Sequence, residues 1–299
     1  MNASIKLLEA VTPAVVSLTA QISENHPSSS VLGTERHGSG VLIDSTDLVL
    51  TVNYIVLGAS RVAVTLADGA ESEAKVIVQD FDSGIAVIQL DSPGSRGLQL
   101  RPSTETALGD DVAIVAAAPE NARRVSDGVV VSFARFDANW EYSLDRSIMT
   151  TARNAGLGGA PLIDASGHVL GVVSLDLGEI GRSTLAIPVD YYLDHKDELL
   201  QHGRRISRPP RAWVGIFCYT FRNHIVVAGL LPGSPAERAG LKPGDVLLAI
   251  NGQEVGQRHE LYETLWSSQP GHRLEFSVFR ESAVQQVSVT AGDAERFFA

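Results

Sequence analysis

Hydrolysis by a side-chain nucleophile needs an attacking oxygen or sulfur, a base within hydrogen-bond reach and a group that orients the base. The stretch best built to position such chemistry is Asn154-Ala-Gly-Leu-Gly-Gly-Ala-Pro-Leu162, which runs on through Ile-Asp-Ala-Ser-Gly-His-Val-Leu-Gly-Val to Val173. Gly156, Leu157 and Gly158 can turn backbone N–H groups inward there, an oxyanion-type pocket for an anion or a carbonyl oxygen. The attacking atom is missing, because a glycine has no side-chain atom that can add to a carbonyl. His26, His37 and His168 are the candidate bases elsewhere, and Ser166 and Ser174 the candidate nucleophiles. Ser166-Gly167 reads as a hairpin turn, and no serine sits in a strained Gly-x-Ser-x-Gly elbow, so a relocated hydrolase site is not expected. The eight histidines are scattered without metal-ligand spacing, and neither a metal nor a cofactor is expected. Cys218 is the single cysteine, which excludes an intrachain disulfide and reads as a small apolar residue on a strand.

The elements that carry these residues read as β-rich. Ile5 to Ala10 predicts a short helix, and the β-branched alternation from Val11 to Ala20 predicts a strand. Ser23 to Ser30 is a polar loop, and Val62–Leu66 and Ala74–Val78 alternate as strands on either side of the turn Ala67-Asp-Gly69. Val189 to Leu200 reads as a helix, and so does His259 to Ser267.

Several phrases resemble the HtrA/Deg branch of trypsin-like serine proteases. The glycine-rich loop is similar to that family's Gly-Asn-Ser-Gly-Gly-Pro-Leu; aligned back from Pro161-Leu162, the nucleophilic serine falls on Gly158. Leu50-Thr-Val-Asn-Tyr-Ile-Val-Leu-Gly-Ala59 parallels Leu-Thr-Asn-Asn-His-Val-Val-x-x-Ala and places Tyr54 at the catalytic histidine. A phenol whose pKa is about 10 is no substitute for an imidazole base at neutral pH. Asp80-Phe-Asp-Ser-Gly-Ile-Ala-Val-Ile88 resembles Asp-x-x-Thr-Asp-Leu-Ala-Val-Leu and places Gly84 at the orienting aspartate, with Asp82 two residues away. Pro13-Ala-Val-Val16, Gly38-Ser-Gly40, Ala107 to Val115, Val125 to Ala134 and Leu185-Ala-Ile-Pro-Val189 fall in the family's order, so the resemblance spans roughly residues 5–200. The nucleophile loop is one residue short, with Arg153 before Asn154. With all three triad positions replaced, the expectation is that the protein is no enzyme but an inactive homologue of serine endopeptidases.

A second resemblance covers residues 212–291. Trp213-Val-Gly-Ile216 is similar to the family's carboxylate-binding Tyr-Leu-Gly-Ile, and Leu231-Pro-Gly-Ser-Pro-Ala-Glu-Arg-Ala-Gly-Leu-Lys-Pro-Gly-Asp-Val-Leu-Leu-Ala-Ile-Asn-Gly252 matches the signature of an HtrA-type PDZ domain. Such a module binds an extended peptide by strand addition and holds its terminal carboxylate with loop N–H groups. The resemblance implies that Val214, Gly215 and Ile216 supply those groups and that Ile216, Leu261 and Leu265 line the last side chain's pocket. The two leucines, spaced i and i+4 on their helix, suit core packing equally. The tail Phe297-Phe298-Ala299 is itself a hydrophobic C-terminus of the kind this groove takes, although most such tails fray or dock locally.

The implied fold is all-β dominated: a trypsin-like double β-barrel over residues 1–203, a linker over 204–211, a PDZ domain (a β-sandwich with two helices) over 212–291 and a tail over 292–299. The implied function is binding of peptide C-termini or exposed hydrophobic segments, as scaffold, chaperone-like holder or regulatory subunit. The alternatives are a structural subunit of a larger complex with one dedicated partner, and an active HtrA-type endopeptidase. Family resemblance also implies a homo-oligomer, a trimer. The net charge of −11 and pI near 5.2 argue against nucleic acid and anionic membrane as partners. The basic run Arg204-Arg205 with Arg208 and Arg211 reads as solvated linker. No apolar run reaches the ~18 residues of a membrane span. The start Met1-Asn-Ala-Ser-Ile-Lys is no secretory signal, which predicts the cytoplasm, or the periplasm if a leader is removed.

Overall fold

The computed structural model describes residues 3–44, 47–119, 122–154, 158–178 and 181–299. The chain divides into two compact units. One is built from residues 1–24, 32–135 and 145–207, the other from residues 25–31, 136–144 and 208–299.

The first unit holds two closed six-stranded barrels. The first contains β1 (Val15–Ile22), β2 (Glu35–Ile43), β3 (Leu48–Val52), β4 (Ala59–Thr65), β5 (Glu71–Gln79) and β6 (Ile85–Leu90), in the order β1-β2-β3-β6-β5-β4. The second contains β7 (Asp111–Ala117), β8 (Arg123–Asp137), β9 (Ser143–Thr150), β10 (Pro161–Asp164), β11 (Val169–Leu177) and β12 (Ser183–Pro188), in the order β10-β11-β12-β9-β8-β7. Closure leaves no free strand edge, and it suits strands as rich in Val, Ile and Leu as these. Ser39 joins the barrels: its hydroxyl accepts from Ala117 N–H and donates to Ala117 C=O, both at 2.9 Å.

The opening helix runs Ala3–Val11, about as the sequence predicts. The helix expected from Val189 to Leu200 is instead two pieces, Asp190–Leu193 and Lys196–His202, because His195 (φ −127°, ψ 13°) leaves the helical region between them. The segment after it is tied down rather than freely solvated. Glu198 accepts the backbone N–H groups of Ile206 and Ser207, and the Ser207 hydroxyl donates to it at 2.9 Å.

The second unit is a six-stranded sheet of β13 (Ile216–Phe221), β14 (His224–Leu230), β15 (Val246–Ile250), β16 (Gln253–Glu254), β17 (Arg273–Arg280) and β18 (Ala283–Thr290). Its path is β13-β14-β15-β17-β18, so β13 is an edge strand. Two helices pack with it. Pro235–Ala239 is capped by Ser234, whose hydroxyl accepts from Glu237 N–H, and carries proline at its start, where the missing N–H is harmless. Arg258–Trp266 opens on a capping box between Gln257 and Glu260. Its Leu261, Tyr262 and Leu265 enter one core with Val214, Ile216, Phe276 and Val289. Arg211 lies over the Trp266 ring at 4.4 Å, so the aromatic face has drawn this cation out of the basic run.

Asp245 is 1% exposed, and the Nε and Nη2 of Arg280 each donate to it at 2.6 Å. Asp245→Ala removes two charge-assisted hydrogen bonds from the half-buried Arg280 guanidinium and should lower the stability of the second unit by about 2 kcal/mol. A urea titration should show the midpoint falling with no change in slope.

Candidate functional site

In the barrel unit the short helix Asn53–Val56 closes directly on β3 and carries Tyr54. Arg36, buried beneath it, donates from Nη1 to the carbonyls of Tyr54 (2.7 Å) and Leu57 (3.0 Å) and from Nε to Gly33 (3.2 Å). Burial lowers this guanidinium to about 10, still charged at neutral pH. The Tyr54 hydroxyl donates to the Ser174 carbonyl at 2.9 Å, and burial pushes the phenol up to about 12. Gly84 N–H donates to Asp80 C=O, while Gly84 C=O accepts Asn53 N–H at 2.7 Å. Asp80, 3% exposed, accepts from Asp82 N–H, Ser83 N–H and the Ser83 hydroxyl. It therefore organises its own turn.

Gly158 lies beside Tyr54. Its carbonyl accepts Ser39 N–H at 2.8 Å, and a Cβ placed on it would fall 1.8 Å from the Tyr54 hydroxyl oxygen and 2.9 Å from Cζ. The phenol tip fills the volume that a side chain at position 158 would occupy. The structure thus brings Tyr54 and Gly158 into contact and links Gly84 to the same helix through Asn53. Gly156 and Leu157, the other residues of the expected oxyanion-type pocket, lie outside the described residues. His168 and Asp164 pair at 3.2 Å in the hairpin that holds Ser166. His37 lies between Thr19 (3.2 Å) and Glu35 (3.1 Å) on an open strand face.

In the second unit the loop before β13 has an unusual backbone. The carbonyls of Val214 and Gly215 point inward and accept Ala236 N–H and Leu231 N–H, both at 2.9 Å. That turns the next N–H groups outward and together. Gly215 has φ +83°, and a Cβ on it would meet the Ser234 Cβ at 2.4 Å, so the position needs glycine on both counts. Val214, Gly215 and Ile216 all donate to a single carboxylate, that of Glu141, at 3.0, 2.5 and 3.0 Å. Burial pushes the Glu141 carboxyl up to about 7 while the three N–H donors pull it down. The residues before Glu141 lie along the free edge of β13. Trp140 forms an antiparallel bridge with Phe217, and Asn139 C=O accepts Cys218 N–H at 2.6 Å. Leu261 and Leu265 are fully buried behind this edge.

Glu141, Trp140, Asn139 and Tyr262 escape the sequence reading. The one signal of the first three is a polar, aromatic phrase, Asp137-Ala-Asn-Trp-Glu-Tyr-Ser143, set between two barrel strands, while Tyr262 lies on the expected helix His259 to Ser267. The C-terminal tail docks elsewhere in its own chain. Trp213 packs on Phe297 and Phe298 at 4.7 and 5.9 Å between ring centroids, and His26 Nε2 donates to Phe298 C=O at 2.9 Å.

Two closed barrels followed in sequence by a sheet whose loop collects a carboxylate define a trypsin-like peptidase fold joined to a PDZ module. Matching families agree: residues 38–172 match the trypsin-like peptidase domain and residues 212–291 the PDZ domain. The chain is similar to HtrA-type proteases, whose succession of trypsin-like peptidase domain and PDZ domain it shares. It is 30% identical over 271 residues to a probable periplasmic serine endoprotease, DegP-like, of Hahella chejuensis, an alignment covering 85% of this chain and 56% of that relative. The chain thus spans about half the length of that protein. It is 27% identical to the periplasmic pH-dependent serine endoprotease DegQ of Escherichia coli, over 95% of this chain and 69% of that one. Among solved structures, the HtrA-type protease AlgW with tripeptide superposes with a TM-score of 0.59 at 24% identity, covering 98% of this chain and 97% of AlgW.

These relatives correct one expectation. The expectation of no enzyme, drawn from Tyr54, Gly84 and Gly158 at the aligned triad positions, is overturned by these relatives, which are named serine endoproteases and suggest peptidase activity. The physical reason for the correction is that side chains missing from three aligned positions bear on chemistry at those positions alone. Among the described residues no helix is long and apolar enough to cross a membrane.

The fit of Tyr54 against Gly158 has a measurable signature. Gly158→Ala should destabilise the barrel unit by about 2 kcal/mol through overpacking. In a Tyr54→Ala background the same change should cost little, and a thermal-denaturation double-mutant cycle should report the difference as coupling.

Proposed function

We propose that this chain captures extended peptides by their C-terminal carboxylate, at the Val214, Gly215 and Ile216 amides, as a chaperone-like holder, scaffold or regulatory subunit built on an HtrA-type protease framework. The observation that carries this reading is the convergence of three backbone N–H groups on one carboxylate at the end of an edge strand. A peptide laid antiparallel on β13 gains main-chain hydrogen bonds from the strand and places its terminus at those amides. Ile216, Leu261 and Leu265 supply the apolar wall beside it. The relatives' names favour the periplasm over the cytoplasm, and the family favours a homo-oligomer, a trimer in this proposal.

Those names also favour a second reading, cleavage of bound polypeptide. Position 158 carries no nucleophile, so under this reading the attacking group lies elsewhere. Unfolded casein should then be hydrolysed, and a serine-reactive phosphonate should label one serine that peptide mapping locates; intact casein and no label would remove this reading.

Capture is tested with the full chain on an array of decapeptides varied at their last three positions. Peptides with free C-termini should be retained and their amidated counterparts lost. Gly215→Ala, which drives a methyl group into Ser234, should abolish retention without unfolding the barrels. Equal retention of free and amidated peptides would refute carboxylate capture.

A further inference from the structure

We propose that residues 137–143 are an internal ligand of the peptide groove, in which the Glu141 side chain stands where a peptide's terminal carboxylate would sit, so that external peptides bind by displacing it. The proposal rests on the reading of Val214 to Ile216 as a carboxylate site and concerns the regulation of that site.

The segment has the register of an added strand. Three successive residues follow the β13 edge in the antiparallel sense: Asn139 opposite Cys218, Trp140 opposite Phe217, and Glu141 at the loop that precedes Ile216. An added peptide strand ending at the loop would take the same path. A side-chain carboxylate reaching three consecutive amides of a loop by chance would carry no such alignment of the backbone behind it.

The segment is also shaped for presentation. The Ser143 hydroxyl donates to Asp137 Oδ1 at 2.7 Å across its neck, Ala138 N–H donates to Tyr142 C=O at 2.9 Å, and Tyr142 N–H donates to Trp140 C=O at 2.6 Å. The groove's own helix grips it from the other side. The Tyr262 hydroxyl lies 2.8 Å from the carbonyl oxygens of both Ala138 and Trp140, and the Arg258 guanidinium donates to Asn139 Oδ1. Residues 136–144 belong to the same compact unit as the sheet, although in sequence they connect β8 to β9.

Tethering makes this ligand a strong competitor. A segment held on a short connection acts at an effective concentration on the order of millimolar, so the groove presents to outside peptides only the fraction of time in which the loop is undocked. Tyr262 and Arg258 keep the loop aligned without reaching the carboxylate site, which leaves Glu141 as the group whose removal opens it.

The test uses the full chain and the variants Glu141→Ala and Glu141→Gln, the second retaining the side chain's shape should alanine disturb the fold. Hydrogen exchange over residues 212–218 should be slow in the parent, at least about tenfold faster in Glu141→Ala and intermediate in Glu141→Gln. Free-carboxylate decapeptides from the array should bind Glu141→Ala at least about tenfold more tightly than the parent. Unchanged exchange in both variants would overturn the internal ligand. Equal peptide affinity in parent and variant would overturn displacement while leaving carboxylate capture in place. Faster exchange with no preference for free over amidated peptides in any form would refute peptide capture itself, and displacement with it, leaving Glu141 as a structural cap.

Discussion

Three backbone N–H groups aimed at one point need an acceptor, and much of the second unit's local design follows from supplying one. Leaving a buried donor unmet costs roughly 1–3 kcal/mol. The loop cannot rotate the donors away, because the Val214 and Gly215 carbonyls are already engaged by Ala236 and Leu231 on the inner side. The fixed loop therefore demands an anion or a carbonyl oxygen from outside. Glu141 meets the demand from a segment far away in sequence, and the strand path, the Tyr262 clamp and the neck of the 137–143 loop all serve to deliver it.

In the barrels the governing constraint is volume. Interiors tolerate little empty space and little excess. The Tyr54 hydroxyl occupies the volume that a side chain at position 158 would need, and finds a carbonyl at Ser174 while doing so. The two residues are intelligible only together. Arg36 holds the Asn53–Val56 helix that aims the phenol, so a buried cation supports the packing of a residue it touches only through the backbone.

The fold was legible because its signals are local. Alternating apolar strands, a proline-led helix with a serine cap and the long Leu231–Gly252 phrase each describe a few neighbouring residues, and short-range chemistry writes them into the chain. The same holds for the loop amides, since Gly215 between two apolar residues is a contiguous pattern. The Glu141 contact is non-local: nothing in Trp140-Glu-Tyr142 states which amides it will meet 73 residues later. For the same reason the partners of Phe297 and Phe298, Trp213 and His26, did not show, although local docking of such a tail is the commoner outcome, since a hydrophobic tail does not state what it will fold onto. The break at His195 lay in one residue's backbone angles, below the resolution of a hydropathy pattern.

The second unit is assembled from three separate stretches of chain, residues 25–31, 136–144 and 208–299. It is therefore not a cassette. Excising residues 208–299 as a portable peptide-binding tag would carry off the sheet and the amide loop but leave behind Glu141, which covers the amides, and His26, which holds the Phe298 carbonyl. The grafted module would differ from the same residues in their parent chain, with an unoccupied groove and a looser C-terminus. Inheritance of this domain by recombination would face the same seam, since a crossover at residue 208 separates a groove from the segment that fills it.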